Sequence, residues 1–156
     1  MDNQSDNANA VVRPPIVLLL VLVLGLFADW LYPVKLVPAS VPNVLLGIFI
    51  FADALALFVW AIVTIRKAGT QVETVKPTTA IVADGPYRFT RNPIYLGMML
   101  SLIGLAIAFN TLLLLIALVP FYFVIRHGVV AREEAYLERK FGSVYLDYKQ
   151  RVRRWI

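Results

Sequence analysis

The chain has no cysteine and only one histidine, His127, among its 156 residues. Without cysteine there is no disulfide framework, no thiolate metal site and no cysteine nucleophile. A single histidine cannot build a histidine-rich zinc site. No Gly-x-Gly-x-x-Gly, P-loop or His-Glu-x-x-His pattern occurs, which excludes the nucleotide and zinc motifs of soluble folds. Charge is also sparse, at 16% of residues, and the net balance is +5. In so apolar a chain that excess is expected to reflect topology and contact with anionic lipid, and no nucleic-acid partner is expected.

What the chain has in abundance is apolar length. Hydrophobic residues make up 60% of the sequence and the mean hydropathy is +0.73, so the expectation is a single all-α domain, an integral membrane helical bundle. Apolar runs predict four membrane helices over 16–32, 43–65, 94–109 and 112–130; the second, of 23 residues, is long enough to cross a hydrocarbon core of about 30 Å, and the last two are shorter. The first run has only Arg13 ahead of it and no small-residue cleavage pattern behind it, which separates it from a signal peptide. Residues 1–12 read as a disordered tail, and 131–156 as amphipathic C-terminal helices. Asn110-Thr111 joins the last two runs as a tight hairpin. Gly97, Ser101, Gly104 and Ala108 form a small-residue packing face on the third, and Pro120 is expected to kink the fourth.

The cations are distributed unevenly. Arg66, Lys67, Lys76, Arg88 and Arg91 fall between the second and third runs, eight more follow Ile125, and only Lys35 falls on the opposite side. The positive-inside rule places both termini, the long middle loop and any site there in the cytoplasm, with a bacterial inner membrane as the expected location. A loop as long as 66–92 is itself a functional signal.

Within that loop, residues 85–95 (Gly-Pro-Tyr-Arg-Phe-Thr-Arg-Asn-Pro-Ile-Tyr) combine a turn, cations, phenols and a helix start. Asn92 reads as an N-cap whose side chain accepts a helical N–H, and Pro93 as the first helical residue. Arg91 and Tyr95 then surround the positive end of a helix, which suits a carboxylate or phosphate. Downstream, Val130, Leu137 and Phe141 form a stripe flanked by Glu133 and Glu134. The simple structural reading pairs these acids with Arg126, Arg132 or Lys140 at the surface. Tyr145, Tyr148, Val152 and Trp155 recur at helical spacing among cations, as a segment resting on anionic membrane lipids would. His127 is a candidate proton acceptor. Asp53, near the middle of the second run, is a functional candidate by its depth.

Gly85-Pro86-Tyr87, Arg91-Asn92-Pro93-Ile94-Tyr95, Glu133-Glu134, Leu137, Phe141-Gly142, Tyr145 and Tyr148 together resemble the isoprenylcysteine carboxyl methyltransferase and phospholipid methyltransferase superfamily, over roughly residues 79–154. The resemblance implies a small helical membrane bundle that binds S-adenosylmethionine at its cytoplasmic side. It implies donor contacts from Thr79, Ala80, Ile81, Val82, Tyr87, Asn92, Pro93, Ile94, Tyr95 and Glu133. The donor's carboxylate would meet helix N–H groups or Arg91, and its ammonium Glu133 or Glu134. Glu133, Glu134, Arg91 and His127 become the catalytic candidates, and Arg126, Val129 and Arg132 the substrate-binding ones. Asn92 stands where many members have histidine. Val129 stands where carboxyl methyltransferases place a substrate arginine, so the acceptor stays open among a carboxylate, an amine and a thiol on a lipidic or small hydrophobic molecule. The expected transfer site is a water-poor pocket between the last two membrane helices. Two other readings stand beside this one: a non-catalytic membrane protein binding lipid or a partner, and an NADPH-dependent reductase of sterol or isoprenoid type.

Overall fold

The structure, a computed structural model, describes residues 11–70 and 78–156. Most of the tail expected over 1–12, and Lys76, lie outside those residues. The described residues are helical, with no strand among them: α1 (Pro14–Leu31), α2 (Asn43–Lys67), a 3-10 turn (Gly85–Arg88), α3 (Pro93–Ala108), α4 (Leu112–Ile125), a π-helical turn (Arg126–Val130), α5 (Ala131–Phe141) and α6 (Ser143–Arg151). Three helices are long and apolar enough to cross a membrane: α1, α2 and the continuous rod Leu112–Phe141; α3 is a shorter apolar helix of 16 residues. The chain is an integral membrane protein. The apolar part of the rod ends with the π turn, and α5 carries Arg132, Glu133, Glu134, Glu138, Arg139 and Lys140, so it stands outside the hydrocarbon.

Helix α2 packs tightly on α3 because glycine lies on both sides of the contact. A Cβ on Gly47 would sit 2.5 Å from the Gly104 carbonyl and 2.6 Å from Ala108 Cα, and one on Gly104 would sit 2.7 Å from Phe51 N. The small-residue face of the third run is thus used for close backbone approach, as expected. Helices α1 and α4 close the other side, where Val17, Leu18, Val21 and Leu22 pack around Leu102, Leu114, Phe121 and Ile125.

At one end of the bundle Asn110 adopts a positive φ of 53°, which asparagine tolerates better than most residues. Its side chain accepts from Leu36 N (3.0 Å) and Val37 N (2.8 Å) and donates to Val37 O (3.1 Å). The hairpin of α3 and α4 is thereby stitched to the connection after α1. Thr111 caps α4 by accepting from Leu114 N.

The fourth run and the first C-terminal helix form one continuous rod. The chain stays helical through Pro120 and on to Phe141, with a π turn at Arg126–Val130, where one extra residue enters the helix. Residues Phe121, Ile125 and Val129 step along the buried line by four. The extra residue brings Val130 and then Glu134 onto that line, and all five are buried. Gly142, with φ 53°, then reverses the chain into α6, and Tyr145, Tyr148 and Val152 pack back against Ile81, Leu137 and Phe141.

Candidate functional site

A cavity of about 140 Å³ opens at the end of the bundle opposite Asn110. Its walls come from α2 (Ile65), Thr70 just beyond it, Thr78 and Ala80 to Val82, Tyr87, the entry of α3 (Arg91 to Tyr95), α5 (Glu133, Glu134, Tyr136, Leu137) and α6 (Tyr145, Tyr148). It lies beside α5, beyond α4. The expected location between the last two membrane helices is corrected by one element.

Glu133 and Glu134 sit side by side in sequence but have different partners. Tyr95 Oη donates to Glu133 Oε1 at 2.6 Å. Burial is the main cause that pushes the Glu133 carboxyl up, to about 7; the neighbouring Glu134 charge adds to the rise, and the Tyr95 hydrogen bond opposes it. Although part of Glu133 is in contact with the cavity, it has no cation beside it among the described bonds. Glu134 is clamped by two guanidinium groups. Arg154 binds it through Nε to Oε1 (3.0 Å) and Nη2 to Oε2 (2.6 Å), and Arg91 Nη2 approaches Oε1 at 3.2 Å. The surface pairing of these acids with Arg126, Arg132 or Lys140 is therefore not what forms.

Arg91 is the other unusual group. Its side chain is only 8% exposed, yet Nε and Nη1 are buried without a protein partner. Leaving guanidinium N–H groups unpaired in a dry wall is costly, so the arrangement favours an anionic group entering the cavity. The phenols complete the lining: Tyr148 Oη donates to the Tyr87 carbonyl (2.8 Å), and Thr78 N donates to Tyr136 Oη (3.2 Å). Burial holds the Tyr87, Tyr145 and Tyr148 hydroxyls above their ordinary range. They therefore act as neutral donors.

Of the residues expected to hold the donor, Ala80, Ile81, Val82, Tyr87, Asn92, Pro93, Ile94, Tyr95 and Glu133 all line this cavity, with Glu134 and Arg91. Thr79 does not. Its N–H donates to Thr70 Oγ1 and its hydroxyl to the Gly69 carbonyl, while Thr78 lines the cavity. Pro93 opens α3 as expected, but the Asn92 side chain does not cap the helix. It is spent on the chain terminus instead, Nδ2 donating to Arg154 O at 3.0 Å.

Five other candidates lie away from the cavity. His127 is exposed and stacks on Phe123, with centroids 6.2 Å apart. Val129 is fully buried in the bundle core. Arg126 Nη1 donates to Tyr122 Oη, and Arg132 is exposed on α5. Asp53 is exposed on the outer face of α2, on no cavity wall. Sequence reasoning missed Thr70, Tyr136 and the carboxylate-binding role of Arg154. The Tyr145 and Tyr148 spacing was visible, but it was assigned to the membrane surface.

No solved structure matches the chain. A curated protein of Haemophilus influenzae, described as an uncharacterized protein, is 42% identical over 62 residues, spanning 40% of this chain and 98% of the other. Residues 42–144 match the family described as phospholipid methyltransferase, which takes in the two tightly packed helices and most of the cavity wall. With about two thirds of its length matched in this way, the chain belongs to the phospholipid methyltransferase family.

Proposed function

We propose that this membrane methyltransferase uses S-adenosylmethionine and transfers its methyl group to a lipidic or small hydrophobic acceptor carrying a carboxylate, amine or thiol. One observation carries the reading: a buried guanidinium with two partnerless N–H groups and a half-buried carboxyl with no cation beside it among the described residues share one cavity. A zwitterionic amino-acid end needs such a pair, one cation for its carboxylate and one anion for its ammonium. Arg91 supplies the first and Glu133 the second. The first-turn N–H groups of α3, at Ile94 and Tyr95, add positive potential beside Arg91. The phenolic rings of Tyr87 and Tyr95 are suited to stand near a cationic centre.

When bound, the donor supplies an electrophilic methyl on a sulfonium. The chain's own part is to bind it, exclude water and hold an acceptor in line; positioning of this kind supplies about 7 to 11 kcal/mol in favourable cases. The cavity abuts the membrane helices, so an acceptor with a lipid tail can reach it from the bilayer. Two carboxylates in the wall suit a nicotinamide dinucleotide poorly, since its phosphates would be repelled. The cavity end carries the described cations of the loop and C-terminal segment, while Lys35 stands in the opposite connection. This supports a cytoplasmic site in a bacterial inner membrane.

The direct test is titration of the full chain in nanodiscs with labelled S-adenosylmethionine. Saturable binding lost in Glu133→Gln and in Arg91→Met is expected. Absence of binding by the unaltered protein, or preferential binding of NADPH, would overturn the reading. Labelled-methionine lipidomics in cells with and without the protein then names the acceptor.

A further inference from the structure

We propose that Arg154, which does not line the cavity, is a positioning residue that keeps Arg91 available to the donor's carboxylate. The inference rests on the methyl-donor reading above. It starts from a charge count: Glu134 is met by two guanidinium groups, Arg91 and Arg154. One positive charge is left over, and the geometry decides where. Arg154 takes both oxygens of Glu134 in the forked arrangement typical of strong arginine–carboxylate pairs. Arg91 touches one oxygen with one nitrogen, at 3.2 Å. The surplus charge, with two partnerless N–H groups, is therefore on Arg91, the one of the two that faces the cavity. Without Arg154, Glu134 would be free to take the fork of Arg91 instead, and the donor's carboxylate would face a guanidinium already satisfied.

The chain terminus is built to deliver Arg154 to this place. The Arg153 carbonyl accepts from Arg91 N (3.0 Å). The Arg154 carbonyl accepts from Thr90 Oγ1 (3.1 Å) and Asn92 Nδ2 (3.0 Å). One residue on, Trp155 packs against the bundle core, with its ring 5.7 Å from that of Tyr122. The last residues thus clasp the same three positions, Thr90 to Asn92, that lead Arg91 into the wall. Asn92 gives up its helix-capping role to take part in this clasp.

The test compares two probes, S-adenosylmethionine and its decarboxylated analogue, titrated into the full chain in nanodiscs. Arg154→Gln is expected to weaken S-adenosylmethionine by about tenfold or more, the scale of a lost charge-assisted contact, and the decarboxylated analogue by less than about threefold. Arg154→Lys, which keeps the charge but not the fork, should show the same selectivity to a smaller degree. A thermal midpoint accompanies each variant, and if Arg154→Gln does not fold, Arg154→Lys alone decides. Equal weakening of both probes means that the terminus is only structural and overturns the proposal, as does no weakening of either. Unaltered protein that binds both probes equally also overturns it, while leaving the methyl-donor reading in place. Unaltered protein that binds neither overturns both.

Discussion

Replacing Tyr95 by phenylalanine removes one oxygen and tests the electrostatic logic of the cavity. The phenol donates to Glu133 at 2.6 Å and favours the ionised carboxyl, against the burial that pushes it up to about 7. A hydrogen bond to a charged group contributes about 1.5 to 3 kcal/mol, and one pKa unit corresponds to about 1.4 kcal/mol. Loss of the phenol should therefore raise the Glu133 carboxyl by roughly one to two further units. At pH 7 the carboxyl of the unaltered protein is about half ionised, whereas that of the variant would be roughly one-tenth to one-hundredth ionised. If only the carboxylate holds the donor's ammonium, donor affinity at pH 7 falls by about 5- to 50-fold. At pH 9 most of it returns, to within about twofold of the unaltered protein. The assay is equilibrium binding of S-adenosylmethionine in nanodiscs from pH 6 to 9. It is read as the ratio of the two proteins' affinities, so that the donor's own titration cancels. A ratio that stays constant across that range, or a variant that binds normally at pH 7, would refute the assignment of Glu133.

Glu133→Gln should abolish donor binding yet raise thermal stability above pH 7. A carboxyl held above its ordinary value of 4.5 favours the fold fully below that value, and the benefit is lost as pH rises through about 7. A midpoint that falls in the variant at pH 8 would contradict this. Gly47→Val puts a side chain against the backbone of Gly104 and Ala108 and should destabilise the α2–α3 pair by about 1 to 3 kcal/mol, seen as a lowered unfolding midpoint in detergent. His127→Ala should leave donor affinity within about twofold, because the ring stacks on Phe123 away from the cavity; a tenfold loss would return histidine to the site.

Much of the wall was legible along the chain because its parts are contiguous. Asn92-Pro93 marks a helix start by local backbone rules, and the residues on either side are carried into the cavity with it. Glu133 and Glu134 were suspicious as acids beside an apolar stripe, but their separate environments depend on contacts 20 to 43 positions away in sequence, at Arg154, Tyr95 and Arg91. Nothing local predicts such pairings. His127 and Val129 illustrate the converse. Nearness in sequence to Glu133 suggested the site, but in the π turn that carries both, one side chain points outward and the other into the core.

By itself the sequence determined what local physics and composition can determine: a helical membrane protein, the positions of its apolar helices, the use of small residues for close packing, and the helix start at Pro93. Those features follow from hydropathy, from the lack of a proline N–H and from the absence of side-chain bulk, each acting over a turn or two. The tertiary structure decided how charge is partitioned. Only when the C-terminal residues fold back on Thr90 to Asn92 does Arg154 meet Glu134, leaving two N–H groups of Arg91 unsatisfied and Glu133 bonded to Tyr95. That partition comes from desolvation and hydrogen bonding among groups far apart in the chain, and no pattern along the sequence encodes their distances.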